Sequence, residues 1–389
     1  MNPHKISLFK REFSLSELGL LFLIPLASLS SRTWLPIPPT LLLFFGAVLC
    51  WFALQINGER RTANGELKIV IAVFSVFVFY IFASQYFMGT VFFRYMGVVF
   101  AAMYLILILI FSERTSADFL KNLGRKFIRY SLIILSVEAI LRLTYGFYSI
   151  IQGESPHSSF YQFKFIGPMY VSSNMVAGHI IALLFFMLWW GHTYKQSFKN
   201  EIILALVLLF LTFSRANIPA IIIGLFYFYF FKDIEWKKSL VVLFFVGIFG
   251  VFALWSLRYF PDYSFQTKFL ILNEALYFYE TASLRYILFG LGLSETEQMA
   301  RFTFSAHGYF PIFLMETGVL GLLLLLTTFF FLVKFTNGAA MIVLLPYSIQ
   351  TLSEGATFIP YFYVIMALML ILTKSKNEND SKKNSLLLD

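Results

Sequence analysis

The sequence predicts an all-α integral membrane protein with about twelve transmembrane helices. Hydrophobic residues make up 59% of its 389 positions and charged residues only 13%, whereas a soluble domain typically carries about 25% charged residues. Short polar loops separate the apolar stretches, most of which are long enough to cross a hydrocarbon core that requires about 20 helical residues. We therefore expect a single polytopic membrane domain over residues 1–389.

Twelve apolar segments follow one another along the chain. They cover residues 17–30, 38–55, 67–87, 91–111, 127–147, 173–191, 201–213, 216–231, 239–257, 308–333, 339–352 and 356–373. The first segment follows a polar, basic start and leads directly into further apolar segments, so we expect a retained helix and not a cleaved signal peptide. The composition turns polar after the last segment, and residues 374–389 are expected to form a disordered tail.

The distribution of Lys and Arg predicts the orientation of these segments. With the N-terminus in the cytoplasm, 21 of the 30 Lys and Arg residues fall in inner segments and 8 in outer ones. Inner loops of membrane proteins carry such an excess, so both termini are expected in the cytoplasm. The same distribution accounts for the formal net charge of +9 without nucleic acid as a partner.

Charge also divides the apolar stretch 201–231, which is long enough to be one helix. Lysines lie at both of its ends, at positions 195, 199, 232, 237 and 238. Both ends then lie on the inner side, which requires a hairpin with its apex at residues 214–217. The first arm rises only about 20 Å, so Arg215 is expected below the outer surface, in a cavity lined by protein. The same argument predicts a second hairpin over 338–373, with its tip at 353–355.

Two outer loops, 148–172 and 258–306, are longer than the others. Both are rich in aromatic residues, and neither is long enough to form a separate domain of ordinary size. We expect them to lie on the membrane surface as caps over a cavity.

Charged residues at membrane depth cost several kcal/mol and usually face a cavity or a partner. Glu138 and Arg142 lie four residues apart on one helix face, where they either form a structural ion pair or contribute to a site. The predicted outer side carries further cations, among them Arg94, Lys164, Arg215, Arg258, Lys268, Arg285 and Arg301. A single such cation is explained as an interfacial residue, whereas several that converge on one cavity would bind a phosphate group.

One stretch, SAHGYFPIFLMETGVLG at 305–321, combines polar and flexible residues at the start of a long apolar helix. His307 lies at its outer end. One interpretation is an interfacial residue, and the other is a general base, because imidazole titrates near neutral pH. Glu316 is a second ionisable group of the same stretch.

Glycines flank this histidine on both sides. Gly318 and Gly321 are expected to allow close helix packing. Gly290 and Gly292 are expected to shape a turn that returns the second outer loop to the membrane.

No sequence pattern indicates a bound cofactor or metal. The patterns GxxxxGK[ST], HExxH and CxxC do not occur, so nucleotide hydrolysis and zinc chemistry have no support. Acidic residues do not cluster, and only Asp262, Glu295 and Glu297 of the second long loop remain open as ligands of a divalent cation.

Four motifs in order resemble those of the O-antigen polymerase and O-antigen ligase superfamily. They are VSSNMVAGHI at 171–180, LTFSRANIPAII at 211–222, LRYILFGLGL at 284–293 and AHGYFPIFLMETGVLG at 306–321. The resemblance spans roughly residues 170–335, while the first 150 residues are similar only in being helical and apolar. The chain departs from the family pattern at Gly308, where asparagine often follows the histidine.

The resemblance implies a metal-independent glycosyltransferase with a GT-C-like fold in the bacterial inner membrane. Its substrates would be glycans linked to undecaprenyl pyrophosphate at the periplasmic face, so the two outer loops would be periplasmic. Arg215 and Arg285 would hold the pyrophosphate, and His307 would activate the acceptor hydroxyl. Further substrate contacts are expected from Asn174, Lys164, Arg301, Arg258, Arg94, Asn217 and Glu316.

Among the activities of this superfamily, we expect a polymerase that joins O-antigen or similar repeat units. The aromatic-rich composition, with 49 Phe and 21 Tyr, and the stretch FKFIGPMYVSSN favour it. A ligase that transfers the glycan to lipid A-core is the alternative, and a flippase for lipid-linked oligosaccharides is a third hypothesis. The implied partners are the lipid-linked oligosaccharide, the bilayer and a chain-length regulator protein.

Overall fold

The computed structural model describes residues 6–8, 11–29, 39–56, 65–90, 92–153, 163, 169–170, 173–231, 235–238, 241, 263–293, 309–351 and 360–385. Apart from one short antiparallel hairpin, β1 (Ile6–Leu8) and β2 (Arg11–Phe13), the regular secondary structure of these residues is helical. The prediction of an all-α fold is confirmed.

The first five helices cover much of the first 150 residues. They are α1 (Leu15–Leu23), α2 (Pro39–Ile56), α3 (Gly65–Phe87), α4 (Phe92–Ser112) and α5 (Ala117–Ile151). The later helices are α6 (Ser173–Tyr194), α7 (Lys199–Phe210), α8 (Asn217–Phe231), α9 (Tyr263–Thr281), α10 (Leu284–Phe289), α11 (Tyr309–Phe335), α12 (Met341–Thr351) and α13 (Pro360–Ser385).

Among the described residues, four helices are long and apolar enough to cross a membrane. They lie at Pro39–Ile56, Gly65–Phe87, Ser173–Tyr194 and Ile312–Phe335. The stretches Met96–Ser112, Asn217–Phe231 and Met341–Thr351 are apolar but shorter. This composition is compatible with a multi-pass membrane protein. The expected segment at 239–257 lies almost wholly outside the described residues.

The first expected segment, 17–30, is interrupted. Ser14 caps α1 through a capping box with Glu17, and the helix stops after nine residues with Ile24 as its C-cap. Pro25 explains the stop, since a proline has no backbone N–H with which to continue the helical hydrogen bonds. A short 3₁₀ turn at Ala27–Leu29 follows.

Two helices extend beyond the segments that hydropathy marks. α5 begins at Ala117, ten residues before the expected segment, because the Ser116 side chain accepts a hydrogen bond from the Phe119 N–H and caps its N-terminus. α13 continues as a helix to Ser385, past residue 374, where we expected the disordered tail to start. Hydropathy reports where a helix is apolar and not where its backbone stops.

The stretch 201–231 consists of two helices, as predicted. α7 ends at Phe210 and α8 begins at Asn217, and the turn between them includes Phe213 in the left-handed region, with φ 52°. The tip of the second expected hairpin, 353–355, lies outside the described residues. The second long loop, 258–306, contains the helices α9 and α10.

The contacts divide the chain into two compact units. The first unit comprises Met1–Ile71, Ala101–Ser214 and Ile359–Asp389, and the second comprises Ala72–Phe100 and Arg215–Phe358. The first unit is therefore discontinuous in sequence, because residues 72–100 and 215–358 belong to the second unit. Its last helix, α13, is also the last to be synthesised.

The core of the first unit is built from α5, α6 and α13. Gly124 of α5 leaves room for the Trp190 ring of α6, which a β-carbon at position 124 would touch. The rings of Phe127 on α5 and Tyr361 on α13 lie with their centroids 5.0 Å apart. Tyr194, the last residue of α6, donates a hydrogen bond from its hydroxyl to the Leu372 carbonyl at 2.6 Å. The C-terminal end of α6 therefore also contacts α13.

Glu138 and Arg142 form the expected ion pair inside this unit. Arg142 Nη2 lies 2.6 Å from Glu138 Oε1, and the two side chains are 3% and 0% exposed. The second carboxylate oxygen accepts a hydrogen bond from the Met169 N–H at 2.9 Å. Next to Met169, Tyr170 donates its hydroxyl to the Ser28 carbonyl at 2.6 Å. The pair therefore fixes the chain just before α6, where Asn174 is the second residue.

Replacing one member of this pair should destabilise the protein strongly. Arg142→Met leaves Glu138 as an unpaired buried carboxylate, and we expect the free energy of unfolding to fall by about 3–5 kcal/mol. The double variant Glu138→Leu/Arg142→Met should recover most of that loss, because two apolar side chains replace a buried ion pair at little cost. The unfolding midpoint of the purified protein in detergent measures both effects.

Lys126→Gln is the matched control, since Lys126 is an exposed cation of the same helix. Its effect should stay within about 0.5 kcal/mol. Equal stability of the single and double variants would show that the two buried charges do not compensate each other.

Candidate functional site

The second unit holds two of the glycine-containing motifs in direct contact. α10 ends at Phe289, and its C-cap Gly290 has φ 81° and ψ −177°. α11 is interrupted at Gly318, which has φ 70° and ψ −179°. Both conformations belong to a region of backbone space that is essentially restricted to glycine. Gly292 also has positive φ, at 112°.

The four carbonyls before the break in α11 all accept hydrogen bonds from outside that helix. The pairs, donor first, are Tyr279 Oη and Leu314 O (2.8 Å), Leu291 N and Met315 O (2.8 Å), Gly292 N and Glu316 O (3.0 Å), and Tyr80 Oη and Thr317 O (2.7 Å). The last four carbonyls of any helix lack partners within the helix. At this break, each of the four carbonyls receives a hydrogen-bond donor from α3, from α9 or from the turn after α10.

We call this contact between residues 288–293 and 314–318 the glycine junction. A β-carbon at Gly290 would collide with the backbone of Glu316 and Thr317. A β-carbon at Gly318 would collide with the backbone of Leu288 and Phe289. The sequence predicts Gly290 in a turn, which is confirmed. The sequence predicts only close helix packing at Gly318. In the structure this glycine also breaks α11.

The end of α3 holds the same region from another side. Gln85 is fully buried, and its Oε1 accepts hydrogen bonds from the Leu293 N–H at 2.6 Å and from the Thr90 hydroxyl at 3.1 Å. Arg285 Nη2 donates to the Phe87 carbonyl at 3.0 Å. A cation at the C-terminal end of a helix also interacts favourably with the helix dipole.

Tyr279 contributes a hydroxyl from outside the candidate spans. Burial raises the pKa of Tyr279 above its ordinary value. The phenol therefore keeps the proton that it donates to the Leu314 carbonyl. Ala275 and Phe278 on the same helix pack with Ile312 and Met315 of α11 in one hydrophobic cluster.

The junction lies between the two described residues that flank the segment containing His307. Residues 294–308 lie outside the described residues, but the chain enters that segment from Leu293 and leaves it at Tyr309, the start of α11. Leu293 is bound to Gln85, and the turn before it is bound to Met315 and Glu316. Glu316 lies seven residues into α11, about 10 Å along its axis from Tyr309. The described residues that flank this segment thus belong to one hydrogen-bonded set of helices.

The structure places only some of the expected site residues. Arg285 is exposed on α10, and Glu316 is half-buried in α11. The glycine junction brings the segments that contain these two residues together. Arg215 is exposed in the turn between α7 and α8, and Asn217 is buried as the first residue of α8. Asn174 is half-buried near the start of α6, in the first unit.

The remaining expected residues are not described in full. Arg94 and Lys268 belong to α4 and α9, but their side chains lie outside the described parts. Four further positions fall wholly outside the described residues: Lys164, Arg258, Arg301 and His307. Within the described ranges, no three His, Cys, Asp or Glu side chains come together as a metal site, and Asp262, Glu295 and Glu297 lie outside those ranges.

Sequence reasoning missed the polar side chains that hold the glycine junction and the turn after α10 in place. Tyr80 and Gln85 belong to an apolar span, where a polar side chain is costly unless it has a partner. The string FASQYF at 82–87 therefore carried a usable signal. No comparable pattern marks Tyr279 among the many aromatic residues.

Comparison with known proteins adds no further assignment. No protein-family model, no curated protein and no solved structure matches this chain. The resemblance of the four motifs therefore remains a prediction from the sequence.

Substitution of the junction glycines should destabilise the second unit. Gly290→Ala and Gly318→Ala each place a side chain in a conformation that costs about 1–3 kcal/mol, in addition to the collision with backbone. We expect a clearly lower unfolding midpoint in detergent for each variant. Gly97→Ala is the control, because Gly97 is helical and has open space around it.

Alanine at position 97 should leave stability unchanged or raise it by up to about 1 kcal/mol. If Gly290→Ala and Gly318→Ala behaved like this control, the positive φ angles and the close approach would not be required for the fold.

Proposed function

We propose that this protein polymerises O-antigen or a related surface polysaccharide at the periplasmic face of a bacterial inner membrane. It would join repeat units carried on undecaprenyl pyrophosphate by metal-independent glycosyl transfer. Two things support the proposal: the order and spacing of the four motifs, and the glycine junction. The junction is the observation that carries it, since it ties the segment LRYILFGLGL to the segment that follows His307.

The junction matters for this chemistry because the two segments carry different groups. Arg285 lies in the first segment and His307 at the start of the second. Catalysis of glycosyl transfer needs a fixed relation between the group that stabilises the leaving group and the group that activates the acceptor. The backbone hydrogen bonds between residues 291–292 and 315–316 support this proposal, because they join the two segments independently of long side chains.

The proposed reaction transfers the growing glycan to the non-reducing end of a new lipid-linked unit. The acceptor hydroxyl attacks the anomeric carbon, its proton passes to His307, and the bond from that carbon to the pyrophosphate oxygen breaks. Negative charge develops on the departing undecaprenyl pyrophosphate, and the guanidinium groups of Arg215 and Arg285 stabilise it. The donor is already activated, so the reaction requires no nucleotide.

The remaining expected contacts belong to substrate binding in this proposal. Asn174, Lys164, Arg301, Arg258, Arg94, Asn217 and Glu316 would contact the glycan or the lipid pyrophosphate. The fold would be GT-C-like with about twelve membrane spans, both termini in the cytoplasm, and the loops 148–172 and 258–306 in the periplasm. A chain-length regulator would be a protein partner.

The lipopolysaccharide of a deletion strain tests the function and the role of His307 together. Loss of a polymerase leaves core that bears a single repeat unit, and wild-type protein should restore the full ladder. His307→Ala and His307→Gln should both fail to restore it, because a general base contributes roughly 10²–10⁴ in rate and glutamine cannot take up a proton. Immunoblots of the membrane fraction should show that both variants accumulate.

Other results would change the assignment in defined ways. Bare core in the deletion strain would identify a ligase, and lipid-linked units retained on the cytoplasmic face would identify a flippase. Full turnover by the purified His307→Gln protein on a synthetic lipid-linked repeat unit, without added metal, would rule out general-base catalysis by this residue.

Lysine substitutions test the proposed pyrophosphate contacts. Arg215→Lys and Arg285→Lys keep the charge but lose the planar fork that binds phosphate oxygens in pairs, so we expect each to lose most of the polymerase activity. The Arg285→Lys variant keeps one donor for the Phe87 carbonyl. A loss of activity in this variant would therefore not be caused by loss of that structural hydrogen bond. Thermal unfolding in detergent should therefore change little for Arg285→Lys.

Arg114→Lys is the control for this pair, since Arg114 lies in the turn between α4 and α5 and has no role in the proposed chemistry. It should give a normal ladder. Wild-type ladders from both Arg215→Lys and Arg285→Lys would mean that the pyrophosphate is bound elsewhere.

A further inference from the structure

A cavity of about 280 Å³ lies beside the first part of α5, within the first unit. Arg125 and Arg129 of α5 line one side of it, and the linker residues 196–198 and Glu201 of α7 line the other. None of these residues takes part in the proposed glycosyl transfer. Their chemistry is that of an anion site.

The two arginines provide most of the hydrogen-bond donors. Arg125 uses its Nε in a bond of 3.3 Å to Gln196 Oε1, which orients the guanidinium and leaves its four terminal N–H groups for a ligand. Arg129 lies one helical turn further along the same face. The hydroxyl of Ser197 is a further donor at the edge of the cavity. Planar guanidinium groups bind phosphate oxygens in pairs.

Among the described residues, Glu201 is the one acidic side chain that lines the cavity. Two guanidinium groups and one carboxylate leave a net positive charge, and Lys126, Lys195 and Lys199 in the neighbouring sequence add to the local potential. Glu201 weakens the attraction for an anion without reversing it. Neutralising this carboxylate is therefore expected to raise the affinity for an anion, whereas neutralising the arginines is expected to lower it.

The position of the cavity indicates where its ligand comes from. The linker residues follow directly after α6, which is long and apolar enough to cross a membrane and ends at Tyr194. α5 has 35 residues and is therefore about 52 Å long, while the hydrocarbon core is only about 30 Å thick. The helix therefore exceeds the core by about 20 Å, and we infer that its polar end, with the cations at 125, 126 and 129, is the part that reaches the level of the lipid headgroups.

We propose that this cavity binds the phosphate group of an anionic membrane phospholipid. The basic residues at the end of membrane helices give it the character of known headgroup sites. Its volume is far larger than the about 30 Å³ of a single water molecule. The bound lipid would join α5 to the linker between α6 and α7.

Lipid binding by the purified full-length protein in detergent tests this proposal. Phosphatidylglycerol and, as the neutral comparison, phosphatidylcholine are titrated while bound lipid is counted by native mass spectrometry. We expect a preference for phosphatidylglycerol that falls about tenfold or more in Arg125→Gln/Arg129→Gln, because hydrogen bonds to charged groups are lost. Lys126→Gln removes one charge from the same helix outside the cavity and should change binding less than about twofold.

Glu201→Gln provides the complementary variant. Removing the carboxylate should strengthen phosphatidylglycerol binding several-fold, and a protein that gains affinity is necessarily folded. All four side chains substituted here are at least partly exposed, so gel filtration should show unchanged elution. This gain keeps the test decisive even if the double arginine variant were less stable.

Three results would overturn the proposal. One is equal binding of phosphatidylglycerol and phosphatidylcholine by the wild-type protein, and another is an equal effect of the double arginine variant and of Lys126→Gln. The third concerns the source of the phosphate. If inorganic phosphate protected the protein against thermal unfolding as well as the lipid did, with the same dependence on the arginines, the ligand would be free phosphate and not a lipid headgroup.

Discussion

A helix that stops among apolar side chains must give its last carbonyls new hydrogen-bond partners, because no water replaces them there. The break in α11 at Gly318 imposes this requirement on the second unit. The hydroxyls of Tyr80 and Tyr279 and the backbone of residues 291 and 292 meet it. These four donors come from three different parts of the chain, so a single interrupted helix determines how α3, α9 and the turn after α10 are arranged around it.

This arrangement gives the proposed site its framework. Arg285 is held by its bond to the Phe87 carbonyl at the end of α3, and the turn that follows it is bound to α11. Leu293 and Tyr309, the described residues before and after the histidine segment, belong to the same set of helices. The chemistry proposed for His307 and Arg285 then relies on backbone contacts, which are less variable than contacts between flexible side chains.

Composition and charge predict the class of fold well, because burying polar backbone in lipid leaves few solutions other than helices. The break between α7 and α8 was predictable from lysines at the two ends of an apolar stretch, and the pair Glu138–Arg142 from a spacing of four residues. The start of α5 and the end of α13 were not, because helical conformation persists through polar residues such as Lys121 and Lys374. Gly318 was recognised as small, but the backbone of Leu288, which leaves no room for a β-carbon at this position, is distant in sequence. The roles of Tyr80 and Gln85 arise only once that contact exists.

The discontinuous composition of the first unit has a consequence for biosynthesis. Residues 215–358 separate α7 from α13 in the chain, yet α13 supplies Tyr361 beside His179, with ring centroids 4.6 Å apart, and the Leu372 carbonyl for Tyr194. A ribosome that adds 5–20 residues per second needs about 7–30 s to make the intervening chain. During that interval α6 is without its final neighbour, and a chaperone or the insertion machinery has a window in which to hold it.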